Sequence, residues 1–247
     1  MITRKPGMAL LAVSLLLTGC GGGASAAPDR ETVTAQAGAP NTPAPKISVE
    51  TAPRQLPGLG PKTWAKVPSD ARQAVVVTGR GKNSSRSTVV LYERAADGWH
   101  AGASWPAHNA LKGWTDDHRI GDLRSPIGVY TLTDAGGLLD DPGTKLPYDR
   151  STGFTLSGTG FEGEPLAGSF DYVIAIDYNR KPGTTPLDWT RPLGASRGGG
   201  IWLHVDHDGP TQGCVSIDKE HMKELLLALD PRLNPVVVMG DSASLAR

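Results

Sequence analysis

Thiol is scarce in this 247-residue chain, which holds two cysteines, Cys20 and Cys214. Net charge is missing as well. Twenty-five Lys and Arg balance 25 Asp and Glu, so no summed field gathers polyanions, and nucleic-acid binding loses its usual electrostatic footprint. Aromatic residues make up only 6% of the sequence, internal repeats are absent, and one apolar run alone stands out, close to the N-terminus. No other stretch approaches the roughly 20 apolar residues that a membrane-spanning helix needs.

That run, Met8 to Leu17, follows Arg4 and Lys5 and is broken only by Ser14, the layout of an export signal rather than of a span. It ends in Leu17-Thr18-Gly19-Cys20, which resembles the lipobox of bacterial lipoproteins, where the cysteine is acylated and becomes the first mature residue. The expectation is a signal peptide over residues 1–19 and a lipidated Cys20. The protein would then be exported and held on the outer face of the cytoplasmic membrane, facing the cell wall, by several acyl chains where one would be marginal. With Cys20 used as an anchor, Cys214 has no intramolecular partner. A lone thiol in an exported protein is exposed to oxidation, which favours a chemical role for it.

Residues 20–62 are rich in Gly, Ala, Pro and Thr, without apolar periodicity, and read as a flexible spacer. Residues 63–247 are long enough for one core. Their apolar segments are short and β-branched. Gln73–Thr78, Thr88–Arg94, Gly128–Thr133, Tyr172–Asp177, Ile201–Asp206 and Pro235–Met239 predict strands between Gly, Pro, Asp and Asn punctuation. Asp218–Leu229 differs: Met222, Leu225, Leu226 and Leu229 recur at helical spacing, with Asp218 or Ser216 as N-cap and Pro231 beyond the end. The expected fold is mainly β, a sandwich or barrel with one or two packed helices.

Chemistry concentrates in Gly198 to Ser216, which places His204 on a strand ten positions before Cys214, with turn residues between. A cysteine beside a histidine suits acyl transfer: imidazole takes the thiol proton and the thiolate attacks a carbonyl. Gly213, without a Cβ, is expected to adopt backbone angles closed to other residues, and the N–H groups around it to receive an oxyanion. The start of the following helix is expected to favour thiolate through its dipole.

Gly213-Cys214-Val215 after Thr211, with His204 on an apolar strand, resembles the signature of the L,D-transpeptidase (YkuD-like, ErfK/YbiS/YcfS/YnhG) family. Gly121-Asp122-Leu-Arg-Ser125-Pro126-Ile-Gly128-Val-Tyr130-Thr is similar to a second block of that family, and Ile176-Asp177-Tyr178-Asn179 to a third. The blocks occur in the family's order from about Gln73 to the C-terminus. The resemblance implies an L,D-transpeptidase-like β fold that cleaves peptidoglycan stem peptides after a diamino acid and transfers the acyl group through Cys214 to an amine. Cys214 matches the nucleophile, His204 the base and Gly213 the oxyanion neighbour, while Thr211, Gln212, Ser216, Trp202 and Tyr178 are candidate substrate contacts. No cofactor or metal is implied, and a monomer is expected. The chain departs from the signature at Thr211 for Ser, Gln212 for His, Ser216 for Arg and Val205 for Gly, with a shortened His-to-Cys interval.

Other readings attach to the same residues. His207 is a rival base, expected to be an exposed turn residue pointing away from His204. His221 is expected at the surface or as a cap. Arg191 and Arg197 are candidates to replace the missing cation, with solvated positions the ordinary expectation. Trp99, Trp105, Trp114, Trp189 and Trp202 could form a glycan platform or serve as core anchors. Alternative functions are an L,D-carboxypeptidase, a non-catalytic peptidoglycan-binding lipoprotein and, more remotely, a zinc hydrolase using His204, His207 and Cys214.

Overall fold

A computed structural model describes residues 52–247. The expected signal peptide, Cys20 and most of the spacer lie outside the described residues. No helix among the described residues is long and apolar enough to cross a membrane.

The fold is mainly β. One sheet holds ten strands: β1 (Gln73–Gly79), β2 (Arg86–Arg94), β3 (Trp99–His108), β6 (Gly128–Thr131), β7 (Ala135–Gly137), β8 (Tyr148–Arg150), β9 (Val173–Ala175), β10 (Trp202–Val205), β11 (Val215–Ile217) and β12 (Val236–Asp241). Their spatial order is β6-β12-β1-β2-β3-β11-β10-β9-β7-β8. A separate parallel pair joins β4 (Trp114–Thr115) to β5 (Ser125–Pro126).

β1 and β12 run parallel and read as unbroken apolar runs because both faces are covered. Val75, Val77, Val237 and Met239 face one core, while Ala74, Val76, Val236 and Val238 face another that contains Leu56, Trp99 and Leu245. After a short helix α1 (Pro61–Trp64), helix α2 (Lys219–Ala228) lays Met222, Leu225 and Leu226 against the first core beside Leu203, Val205, Val215 and Ile217. Its N-cap is Asp218, whose carboxylate accepts from Glu220 N at 2.8 Å.

Six strands, β3, β4, β5, β7, β8 and β11, have no counterpart among the segments expected from sequence. β3 contains Gly102 and Pro106 and exposes a run of side chains, so it has neither alternation nor β-branched enrichment; pairing along β2 and with the short β11 defines it. β11 reaches only Ala107 and His108, so the missing N–H of Pro106 lies beyond its end. The folded body also begins before the expected boundary at residue 63. Leu56 is buried, Trp99 N donates to Pro53 O at 2.9 Å, and Gly60 N donates to Leu245 O at 2.9 Å, because the second core needs a cover on that side.

The parallel pair β10 and β11 positions the site. Leu203 stands opposite Val215 and His204 opposite Ser216. Leu203, Val205, Val215 and Ile217 face α2, so alternation sends Trp202, His204, Cys214 and Ser216 to the other face.

Candidate active site

Cys214 immediately precedes β11 and lies half-buried at the wall of a cavity of about 540 Å³. His204, His207, His118, Arg191, Thr211, Gln212 and Gly213 line the same cavity. Cys214 Sγ accepts from Trp202 N at 3.4 Å and lies 3.6 Å from Gly200 O. The carbonyl of Cys214 is held by two hydroxyls, Thr211 Oγ1 at 2.7 Å and the buried Ser125 Oγ at 3.4 Å. Ser125 in turn accepts from Ala110 N at 3.1 Å. These bonds fix the turn that presents the sulfur. Among the described residues, no acceptor lies on the N–H of Gly213 or of Cys214.

Gly213 does not use the expected backbone freedom. Its φ is not positive; a Cβ there would stand 2.9 Å from Ile201 Cδ1 and 3.6 Å from His118 Cε1. A side chain there would press on the Ile201 methyl and narrow the space beside His118, so close approach rather than unusual backbone angles is what a glycine offers at this position.

Burial pushes the Cys214 thiol up to about 11, and only the Trp202 N–H opposes it. This reverses the expected thiolate preference. All of β11 separates Cys214 from α2, a rise of roughly 10 Å, and a helix dipole acts within about its first turn. Burial likewise brings the His204 imidazole down to about 4, opposed by the carbonyls of Val205 and Ser169. His204 Nδ1 lies 2.8 Å from Val205 O, which makes Nδ1 the donor of the neutral ring and leaves the lone pair on Nε2.

His207 is not an exposed turn residue. The strand stops at Val205, so the His207 ring folds back and stacks on His204 with centroids 5.8 Å apart and planes 11° from parallel. Both His207 and its partner Glu164 have side chains under 10% exposed, with Nδ1 3.3 Å from Oε1. His118, unread in the sequence, forms another wall. It lies 3.1 Å from Asp122 and edge-on to Tyr178 at 5.3 Å. Burial holds its imidazole below the usual range, against the pull of Asp122. Its four-residue spacing from the Asp122 of the Gly121-Asp122 block was the available signal.

Three expected substrate contacts are elsewhere. Tyr178 is buried and donates to Arg197 O at 2.8 Å, bracing the loop behind the cavity. Trp202 packs on Phe154 and Phe170, so its backbone rather than its indole serves the site. Ser216 is fully buried and donates to Asp206 Oδ1 at 2.5 Å, and Asp206 also binds His108 Nδ1 at 3.0 Å. None of these side chains lines the cavity because the sheet face around Cys214 is itself covered. Thr211 and Gln212 do line it.

His221 stacks on Trp105 at 5.2 Å instead of lying free at the surface. Arg197 pairs with Asp117, whereas Arg191 turns into the cavity. Trp99, Trp105, Trp114 and Trp202 are core residues, so no five-ring platform forms; Trp189 alone of the five is exposed, at 82%. Among the described residues no three His, Cys, Asp or Glu side chains converge as metal ligands, so His204, His207 and Cys214 do not assemble as such a set.

No protein-family model matches the chain, and no curated protein matches it by sequence. Solved structures similar to it include two bacterial proteins. Bd1075 of Bdellovibrio bacteriovorus has 17% identity and a TM-score of 0.39, with 78% of this chain and 54% of that one covered. The helical cell shape determining protein Pgp2 of Campylobacter jejuni has 16% identity and a TM-score of 0.40, with 70% of this chain and 49% of that one covered. This chain therefore spans about half the length of either.

Proposed function

We propose that the protein is a cysteine acyltransferase of the cell wall, an L,D-transpeptidase acting on peptidoglycan stem peptides. The observation that carries the proposal is the common placement of Cys214, His204 and Gly213 on one cavity, with the sulfur fixed by Trp202 N and the Cys214 carbonyl by Thr211 and Ser125. The resemblance of the Gly121 and Gly213 blocks to that family supplies the substrate class.

In the resting site both partners are neutral. His204 Nε2 takes the thiol proton as Cys214 Sγ attacks the carbonyl of the stem peptide, and the Gly213 and Cys214 N–H groups receive the oxyanion. Collapse expels the C-terminal residue as an amine, which leaves with the proton from His204. The thioester on Cys214 then passes to the amine of a second stem, whose proton goes to His204, regenerating the thiol. With water as acceptor, the same steps give a carboxypeptidase.

Incubation of the purified protein with muropeptides should yield crosslinks between diamino-acid residues, and Cys214→Ala should abolish them while the fold persists. Full activity in that variant ends the proposal. Shortened stems without crosslinks would reassign the acceptor to water.

A further inference from the structure

The cavity beside Cys214 holds a single fixed cation and no anion. Its lining includes Arg191 but no Asp, Glu or Lys. Arg191 Nη1 is occupied by Asp188 O at 2.9 Å and Thr190 O at 3.0 Å. Among the described residues, no carboxylate forms an ion pair with Arg191, although Asp188 acts on it from farther off, and no acceptor lies on its Nε or Nη2. Two of its five donors are therefore anchored and the outer edge of the fork is open.

The backbone is shaped around this guanidinium. Gly199, at φ +144°, leaves room for it: a Cβ there would lie 2.2 Å from Arg191 Nε. The next residue, Gly200, at φ +67°, places its own missing Cβ position 3.6 Å from Nη2 and its carbonyl 3.6 Å from Cys214 Sγ. One peptide thus separates the cation from the nucleophile. Trp189 backs the guanidinium at 5.0 Å from its ring centroid, which holds the fork flat. Exposed Trp189, Ile120 and Phe161 border the same cavity and would shield a seated ligand from water.

We propose that Arg191 binds a carboxylate of the acyl donor and thereby sets which peptide bond reaches Cys214. A part-buried guanidinium with no carboxylate in ion-pair contact, and with only the field of Asp188 from outside the cavity lining, is suited to an anion, and its planar fork matches a carboxylate. The inference rests on the stem-peptide reading. Two donor groups share this chemistry: the C-terminal carboxylate of the leaving residue and the carboxylate carried by the diamino acid.

Binding in the Cys214→Ala background tests the assignment without turnover. The probes are a synthetic stem tetrapeptide containing a diamino dicarboxylic acid, the same peptide amidated at its C-terminus, and the same peptide amidated on the diamino acid. One of the two amidations should weaken binding about tenfold, and Cys214→Ala/Arg191→Gln should lose that discrimination, with Arg191→Lys between them. The amidation that matters names the carboxylate. Equal binding of all three probes in the Arg191-containing protein, or discrimination that survives Arg191→Gln, overturns the assignment, as does failure of every probe to bind. Turnover of all three by the native protein without preference also overturns it while leaving acyl transfer standing. Carboxylate-dependent binding without any turnover by the native protein does the reverse.

Discussion

Cys214 and His204, which line one cavity, are both neutral at pH 7, one with its thiol raised to about 11 and the other with its imidazole lowered to about 4. The raised thiol predicts that alkylation of Cys214 by iodoacetamide accelerates about tenfold per pH unit from 7 to 10 without a plateau near 8.5. A plateau at 8.5 would mean that the thiol is not held in its protonated form. The lowered imidazole also bears on stability. The unfolded ring takes up a proton near 6.5 and the folded ring only near 4, so stability is complete above 6.5 and is lost as pH falls through that window. The loss is about 3 kcal/mol, and His204→Gln should flatten it in urea titrations run between pH 7 and 4.5. Thr211→Val leaves the Cys214 carbonyl with only the longer Ser125 bond. It should cost about 1–2 kcal/mol of stability and lower kcat more than it raises KM, because the sulfur is misplaced rather than the substrate.

At the scale of elements, α2 was legible because Met222, Leu225 and Leu226 fall on one helical face, and burial of all three agrees. Leu225→Ala should cost about 2–5 kcal/mol by thermal or urea unfolding, since it opens a cavity between α2 and the sheet. β1 and β12 were legible for a different reason, as continuous valine runs buried on both faces. β3 was not, because Gly102, Pro106 and its exposed side chains leave the pattern to tertiary pairing. The same division runs through the site. Cys214, His204 and Gly213 follow from spacing within one stretch, and their strand-and-turn setting is local. His118, His207 and Arg191 reach the cavity through loops whose path depends on packing of distant residues, such as Tyr178 on the Arg197 carbonyl and Glu164 against His207. Ser125 was visible only as part of a block, and its bond to the Cys214 carbonyl, 89 residues away in sequence, had no local signal.

At the scale of the whole molecule, the proposed acyl transfer takes place in one cavity of a mainly β body, and the expected N-terminal tether would hold that body at the membrane. Lipidation at Cys20 predicts that Cys20→Ala shifts the protein from the membrane fraction to the soluble fraction of cells, while Cys214→Ala does not. Retention of the Cys20 variant at the membrane would remove the anchor from the account. The central claim is that Cys214 is a nucleophile assisted by His204. Intact-protein mass spectrometry after exposure to a carbapenem, an acylating probe of the family resembled, tests it most directly. The account predicts a single covalent adduct on Cys214, absent in Cys214→Ala and formed at least about a hundredfold more slowly in His204→Ala. An unmodified Cys214 in the native protein, or an adduct formed as fast without His204, would contradict it.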